Sequence, residues 1–216
     1  MSSSNWLYLI IGLLIFGFIF EKILDFINTR NWKKEIPLSV ANYYDRQKYE
    51  KARLYHKEKG KIALFQSIIG FCITLFALVF GWFGMLDNLI GDFAENPFYK
   101  ASVFFVIIFL ISEILSLPFS LFNTFVIEEK YGFNKMTIKT YVLDKIKGYL
   151  LAAIIGGGLL YLAILTIDWA GQGYWLWLWT GLSIFMLLIN MFYADFILPL
   201  FNKLTQINEG DLKDEI

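Results

Sequence analysis

Residues 101–134 read ASVFFVIIFLISEILSLPFSLFNTFVIEEKYGFN. From Ala101 to Ile127 the only charge is Glu113, and the chain then passes into Glu128, Glu129, Lys130 and a glycine at Gly132. A helix needs about 20 mostly apolar residues to cross the hydrocarbon core, and this run supplies them. In lipid the backbone must satisfy its own hydrogen bonds, which only helices and closed barrels achieve. The run lacks the period-two alternation of barrel strands, so it reads as a membrane-spanning helix.

Four other stretches read the same way: Trp6 to about Ile27, Ile62 to Leu86, Gly148 to Ile167, and about Tyr174 to Leu200. The expected fold is therefore all-α, a polytopic membrane bundle. Its five transmembrane helices fall at about 6–27, 62–86, 101–127, 148–167 and 174–200. Composition agrees: 57% of the 216 residues are hydrophobic and 18% are charged. A soluble domain carries roughly 45–50% and about 25%. The net charge of zero gives no general case for nucleic acid or an acidic partner. Cys72 is the single cysteine and cannot form an internal disulfide. The first segment has no basic leader and no small-residue cleavage site, so it reads as a retained anchor. Glu21, Lys22 and Asp25 mark where its helix is expected to leave the membrane.

Loop charges suggest an orientation. Residues 28–61 hold Arg30, Lys33, Lys34, Arg46, Lys48, Lys51, Arg53, Lys57, Lys59 and Lys61. The loop after the third segment holds Lys130, Lys135, Lys139, Lys145 and Lys147. The opposite side has Lys100 with Asp87, Asp92, Glu95 and Asp168. Basic loops stay in the cytoplasm, which places the N-terminus outside and the C-terminus inside. The membrane is the inner membrane in a bacterium, the endoplasmic reticulum in a eukaryote. Trp169, Tyr174, Trp175, Trp177 and Trp179 cluster between the last two segments and read as interface anchors. Residues 43–60 read as a basic amphipathic helix, either lying on the membrane or extending the second segment. Within it Arg46 and Glu50 are spaced to pair, while Tyr44, Gln47, Lys51 and Tyr55 share another face.

Few residues invite chemistry. A charge at the bilayer centre costs about 2.5–3.5 kcal/mol on insertion scales, so Glu113 must be paired, protonated or facing water. It either lines a cavity or makes a polar helix contact. Gly156, Gly157 and Gly158 permit close helix approach or a hinge. His56, the only histidine, stands among lysines, whereas a catalytic zinc takes about three protein ligands. No Ser-His-Asp set, Cys-His pair or phosphate loop is available. Gly132 permits a turn, and Asn134 is placed to cap a helix starting near Lys135.

The run from Pro118 to Asn134 resembles the end of the third helix in the type I CAAX prenyl protease family. The residues that carry the match are Glu128, Glu129, Gly132, Phe133 and Asn134. Three other stretches resemble the family too: Tyr49–Tyr55, Tyr193–Lys203 with Asp195 inside it, and Glu209–Lys213. The resemblance implies seven helices around an intramembrane chamber and a zinc peptidase region facing the cytoplasm. It also implies removal of the last three residues after a prenylated cysteine. On this reading residues 1–207 are the five-helix membrane domain and 208–216 begin the peptidase region. Candidates for the chamber or the domain interface are Glu113, Asn123, Glu128, Glu129, Gly132, Phe133, Asn134 and Asp195. No H-E-x-x-H occurs, so no catalytic or metal-ligating residue is assigned. The resemblance implies a truncated or split protein, inactive alone. Its zinc would come from a peptidase domain in the same or an adjacent chain, its other partners being the bilayer and a prenylated peptide. A non-catalytic membrane scaffold and a small transporter are the alternatives.

Overall fold

The structure, a computed structural model, describes residues 3–31, 36 and 45–202. It divides into two compact units, one ending at Lys135 and one beginning at Met136.

The first unit holds α1 (Ser3–Asn31), α2 (Arg46–Val79), α3 (Trp82–Gly91) and α4 (Pro97–Phe122), the last continuing into a π-helical turn, Asn123–Glu128. Helix α1 does not stop at Asp25. Lys22 lies between Glu21 and Asp25 at 2.9 and 3.1 Å, so the charges satisfy one another and the helix runs on.

Helix α2 starts where Asp45 accepts the Gln47 N–H at 2.7 Å, a side-chain N-cap. Its 34 residues span about 51 Å, more than the ~30 Å of a hydrocarbon core. The amphipathic stretch expected over 43–60 is thus the extension of the second segment, as far as it is described; Tyr43 and Tyr44 lie outside the described residues. Glu50 pairs with Arg53 at 3.7 Å and not with Arg46 as the spacing suggested.

The expected helix 62–86 is two helices. Gly81 takes φ +69, a left-handed conformation that interrupts the ladder, and α3 begins after it. Apolar composition continues across the break, which hides it from hydropathy. Asn96 caps α4 by accepting the N–H groups of Phe98 and Tyr99 at 2.9 and 3.1 Å, with Pro97 in the first turn, where its missing N–H costs nothing. Ring contacts join the helices: Phe18–Phe71 at 4.1 Å, Phe65–Phe119 at 6.0 Å and Phe83–Phe104 at 6.5 Å.

The second unit is a hairpin of α5 (Ile138–Ala170) and α6 (Tyr174–Phe192), followed by a π-helical turn, Tyr193–Ile197, and α7 (Leu198–Phe201). Asn134 is not the cap of α5. Thr137 is, accepting the Thr140 N–H at 3.2 Å. Helix α5 begins ten residues before its uncharged stretch at Gly148, because Lys139, Lys145 and Lys147 are good helix formers beyond the apolar core. Gly171, at φ +54, makes the corner, and Trp169 meets Trp177 edge-on at 5.5 Å beside it. The fifth segment is interrupted at Phe192, where the wider turn begins. Lys147 ties the hairpin's end by donating to the Leu200 carbonyl at 3.1 Å.

Large apolar side chains point outward throughout: Ile154 is 73% exposed, Leu187 72% and Ile114 70%. Water would not tolerate that surface, and lipid does. Four apolar stretches among the described residues are long enough to cross a membrane. The last, Ile138–Phe201, contains both α5 and α6, so five helices are available to span.

Candidate functional site: the charged clasp at the end of α4

Helix α4 and its π-helical turn end in a Schellman motif. The Phe133 N–H reaches back to the Glu128 carbonyl at 2.8 Å and the Gly132 N–H to the Glu129 carbonyl at 2.9 Å. The motif requires a left-handed residue, and Gly132 supplies φ +72. Asn134 adds a third donor, its N–H meeting the Glu128 carbonyl at 3.2 Å.

The turn aims its side chains at the charged extension of α2. Lys59 donates to Glu128 Oε1 at 3.1 Å and to the Tyr55 hydroxyl at 3.0 Å, and that hydroxyl donates to Glu128 at 3.3 Å. A second pair, of opposite polarity, joins Lys130 to Glu58 at 2.6 Å. The hydrogen bond to Glu58 holds the Lys130 ammonium above its ordinary value, outweighing the opposing effect of burial. Burial, then the hydrogen bond with Glu58, pushes the Tyr131 hydroxyl up. Tyr55 packs between the rings of Tyr131 and Phe133 at 5.5 and 4.8 Å, and Lys51 lies over Phe133 at 5.7 Å. Ile127 and Tyr131 are buried beneath.

The structure thus brings Glu128, Gly132, Phe133 and Asn134 into one constellation, while the Glu129 side chain faces outward. Asn123 begins the π-helical turn, and its Oδ1 is buried without a hydrogen-bond partner. Glu113 is partly buried in mid-helix, and its carbonyl accepts the Ser116 hydroxyl at 3.2 Å. Asp195 lies in the second unit, exposed on the π-helical turn there. The sequence reading missed Lys59, Glu58, Lys130 and Tyr131 as partners of this site. A signal was present: Tyr55 and Lys59 are four apart on one face, opposite in charge character to Glu128.

Below the clasp, α2, α3 and α4 enclose a mostly apolar groove of about 640 Å³. Ser112 and Ser116 are in its wall, and Glu113 is not among its lining residues. Among the described residues no three His, Cys, Asp or Glu side chains are grouped to hold a metal. His56 and Cys72, both exposed, stand about 24 Å apart along α2, so these donors do not fit a zinc centre.

Helices of this length and outward apolarity, tied at one end by a charged clasp, define an integral membrane helix bundle. Residues 25–203 match the family described as CAAX prenyl protease N-terminal, five membrane helices, and the chain belongs to that family. It is 31% identical over 215 residues to the CAAX prenyl protease 1 homolog of Arabidopsis thaliana, covering 96% of this chain and 51% of that protein. It is 32% identical over 188 residues to the Homo sapiens homolog, covering 84% and 40%. The crystal structure of S. mikatae Ste24p superposes with a TM-score of 0.82 at 28% identity, covering 97% of this chain and 51% of that one. The chain spans about half the length of the curated relatives it matches.

Proposed function

We propose that this chain is the N-terminal membrane part of a zinc metalloendopeptidase that processes the C-termini of prenylated or other membrane-associated substrates. The observation that carries the reading is the family match over residues 25–203, within which the clasp residues fall. The relatives are named as CAAX prenyl protease 1 homologs, and this chain covers 51% and 40% of the two cited. In the reading offered, the five helices hold the substrate at membrane depth. The clasp fixes the edge against which a peptidase region docks, with Glu128, Glu129, Phe133 and Asn134 facing it; Asp195, in the second unit, is a separate candidate for contact with substrate or with that region. Glu113 and Asn123 contact substrate or the chamber wall. The N-terminus is outside, and the basic loops face the cytoplasm.

The donor set among the described residues does not fit a zinc centre, so in this reading the metal and the water it activates are supplied by a peptidase region. What this chain supplies is orientation and a water-poor wall. The chain alone is expected to be inactive.

The test is a peptidase assay on a prenylated C-terminal peptide, with and without chelator. It compares this chain with a version extended by its downstream coding sequence. Chelator-sensitive cleavage confined to the extended protein supports the reading. Cleavage by the 216-residue chain, or none by an extended protein that carries H-E-x-x-H and binds zinc, overturns it.

A further inference from the structure

The charged end of the first unit is not balanced. From Glu21 in α1, along the extension of α2 and through the end of α4, the described residues hold eleven lysines and arginines against seven carboxylates. Most of those carboxylates are already engaged. Glu21 and Asp25 share Lys22 at 2.9 and 3.1 Å, Glu50 holds Arg53 at 3.7 Å, Glu128 holds Lys59 at 3.1 Å and Glu58 holds Lys130 at 2.6 Å. Asp45 caps α2, and Glu129 is exposed. Lys51 lies over the Phe133 ring at 5.7 Å. Arg30, Lys57 and Lys61 are left exposed, and none of them has an ion pair with a described carboxylate. Lys57 and Lys61 stand one helical turn apart on one face of α2, where like charges repel and an anion between them relieves the repulsion.

Depth says which anion that is. The uncharged stretch of α2 begins at Ile62, which sets the edge of the hydrocarbon. Lys61 and Lys57 stand about 1.5 and 7.5 Å beyond it along the helix. A headgroup layer is about 5–7 Å deep on each side, and a lysine stem can bend its ammonium back toward it. Helix α1 brings a third cation to the same level. Phe18 stacks on Phe71 at 4.1 Å, and consecutive spans run antiparallel. Arg30 lies twelve residues after Phe18 and so stands level with Lys59, twelve residues before Phe71. By contrast Lys48 and Arg46 stand about 21 and 24 Å beyond Ile62, outside the headgroups and more than two Debye lengths from the hydrocarbon edge. An acidic soluble surface would use those outer cations. The unpaired inner ones lie where lipid phosphates are, and the excess of positive charge favours a lipid that brings no cation of its own.

We propose that Lys57, Lys61 and Arg30 form a headgroup site for an anionic glycerophospholipid, of the phosphatidylglycerol class, at the bilayer surface beside α2. The lipid phosphate lies between the two lysines, and zwitterionic lipids are selected against.

The experiment is electron spin resonance of the full 216-residue chain in phosphatidylcholine vesicles, with spin-labelled phosphatidylglycerol or phosphatidylcholine as probe. The motionally restricted signal reports lipid held at the protein. Phosphatidylglycerol should associate about fivefold more strongly than phosphatidylcholine, and about 1 M salt should abolish the difference. Lys57→Gln with Lys61→Gln should bring the ratio to within about twofold of unity, and Lys57→Arg with Lys61→Arg should keep the wild-type ratio. Arg46→Gln with Lys48→Gln removes the same charge from the outer end of α2 and should leave the ratio unchanged. Equal association of the two lipids with wild type overturns the proposal and leaves these cations to an acidic protein surface. So does selectivity that survives the inner pair of substitutions, or that falls equally with the outer pair, which would make it an effect of overall charge.

Discussion

Gly132 is where a single atom would matter most. At φ +72 a Cβ meets the backbone's own carbonyl, a cost of roughly 1–2 kcal/mol, while space is not the obstacle, the nearest neighbour being Lys51 Nζ at 3.7 Å. Gly132→Ala should therefore lower stability by about that amount through the Schellman turn alone. Thermal unfolding in detergent checks it, and an unchanged midpoint would show that the turn is not held as described. The groups beside it set an alkaline limit. Lys130 and Tyr131 both have their folded-state values raised, above 10.5 and 10.0. Each contribution is complete below the unfolded value and is lost as pH rises through the folded one. Stability should decline above about pH 10, and the decline should be shallower in Lys130→Gln. A pH series of melting midpoints for both proteins decides it.

At the scale of elements, the clasp joins two helix ends by ion pairs of opposite polarity. Lys59→Glu places a carboxylate against Glu128 and should cost about 1 kcal/mol, because the pair is only partly buried. Adding Glu128→Lys restores a pair in reversed order and should recover most of the loss. Melting midpoints of the single and double variants test this, and absence of recovery would mean that Tyr55, not the charge, holds the junction. Gly156, Gly157 and Gly158 in α5 offer the converse case. No heavy atom lies within 4 Å of a Cβ built at any of them, so they mediate no close approach within the described residues. Gly157→Ala should stabilise α5 by about 0.5–1 kcal/mol. A loss of stability instead would reveal a hinge or a contact that the glycine serves.

The same elements show what sequence can carry. The five membrane helices were legible because twenty apolar residues have few other fates in lipid. Breaks within them were not. Gly81 divides α2 from α3 in the middle of an unbroken apolar run, and the wider turns at Asn123 and Tyr193 change hydrogen-bond register without changing composition. Helix α5 began before its apolar core because helix propensity, not hydropathy, governs residues outside the bilayer. The clasp was half legible: Glu128, Gly132 and Phe133 were visible as a motif. Their partners Lys59, Glu58 and Tyr55 lie some seventy residues earlier in the chain, and only a folded α2 brings them opposite.

For the whole molecule the open quantity is which way the bundle faces, and the charge pattern makes a definite claim. Moving the loops around Lys57–Lys61 and Lys139–Lys147 across the bilayer would carry a dense set of cations, whereas the turn around Asp87–Glu95 carries mostly acidic groups. The basic face should therefore be cytoplasmic. Glu95 and Lys139 are both exposed, so cysteines placed there disturb no packing, and Cys72→Ala removes the native thiol. In sealed vesicles of known orientation, a membrane-impermeant maleimide should label Glu95→Cys from the non-cytoplasmic side. It should label Lys139→Cys only from the cytoplasmic side. The reverse pattern would invert the bundle, placing the clasp between α2 and the end of α4 on the wrong face for a cytoplasmic peptidase region. Labelling of both positions from one side would mean that α4 does not cross the membrane, since Glu95 precedes it and Lys139 follows it.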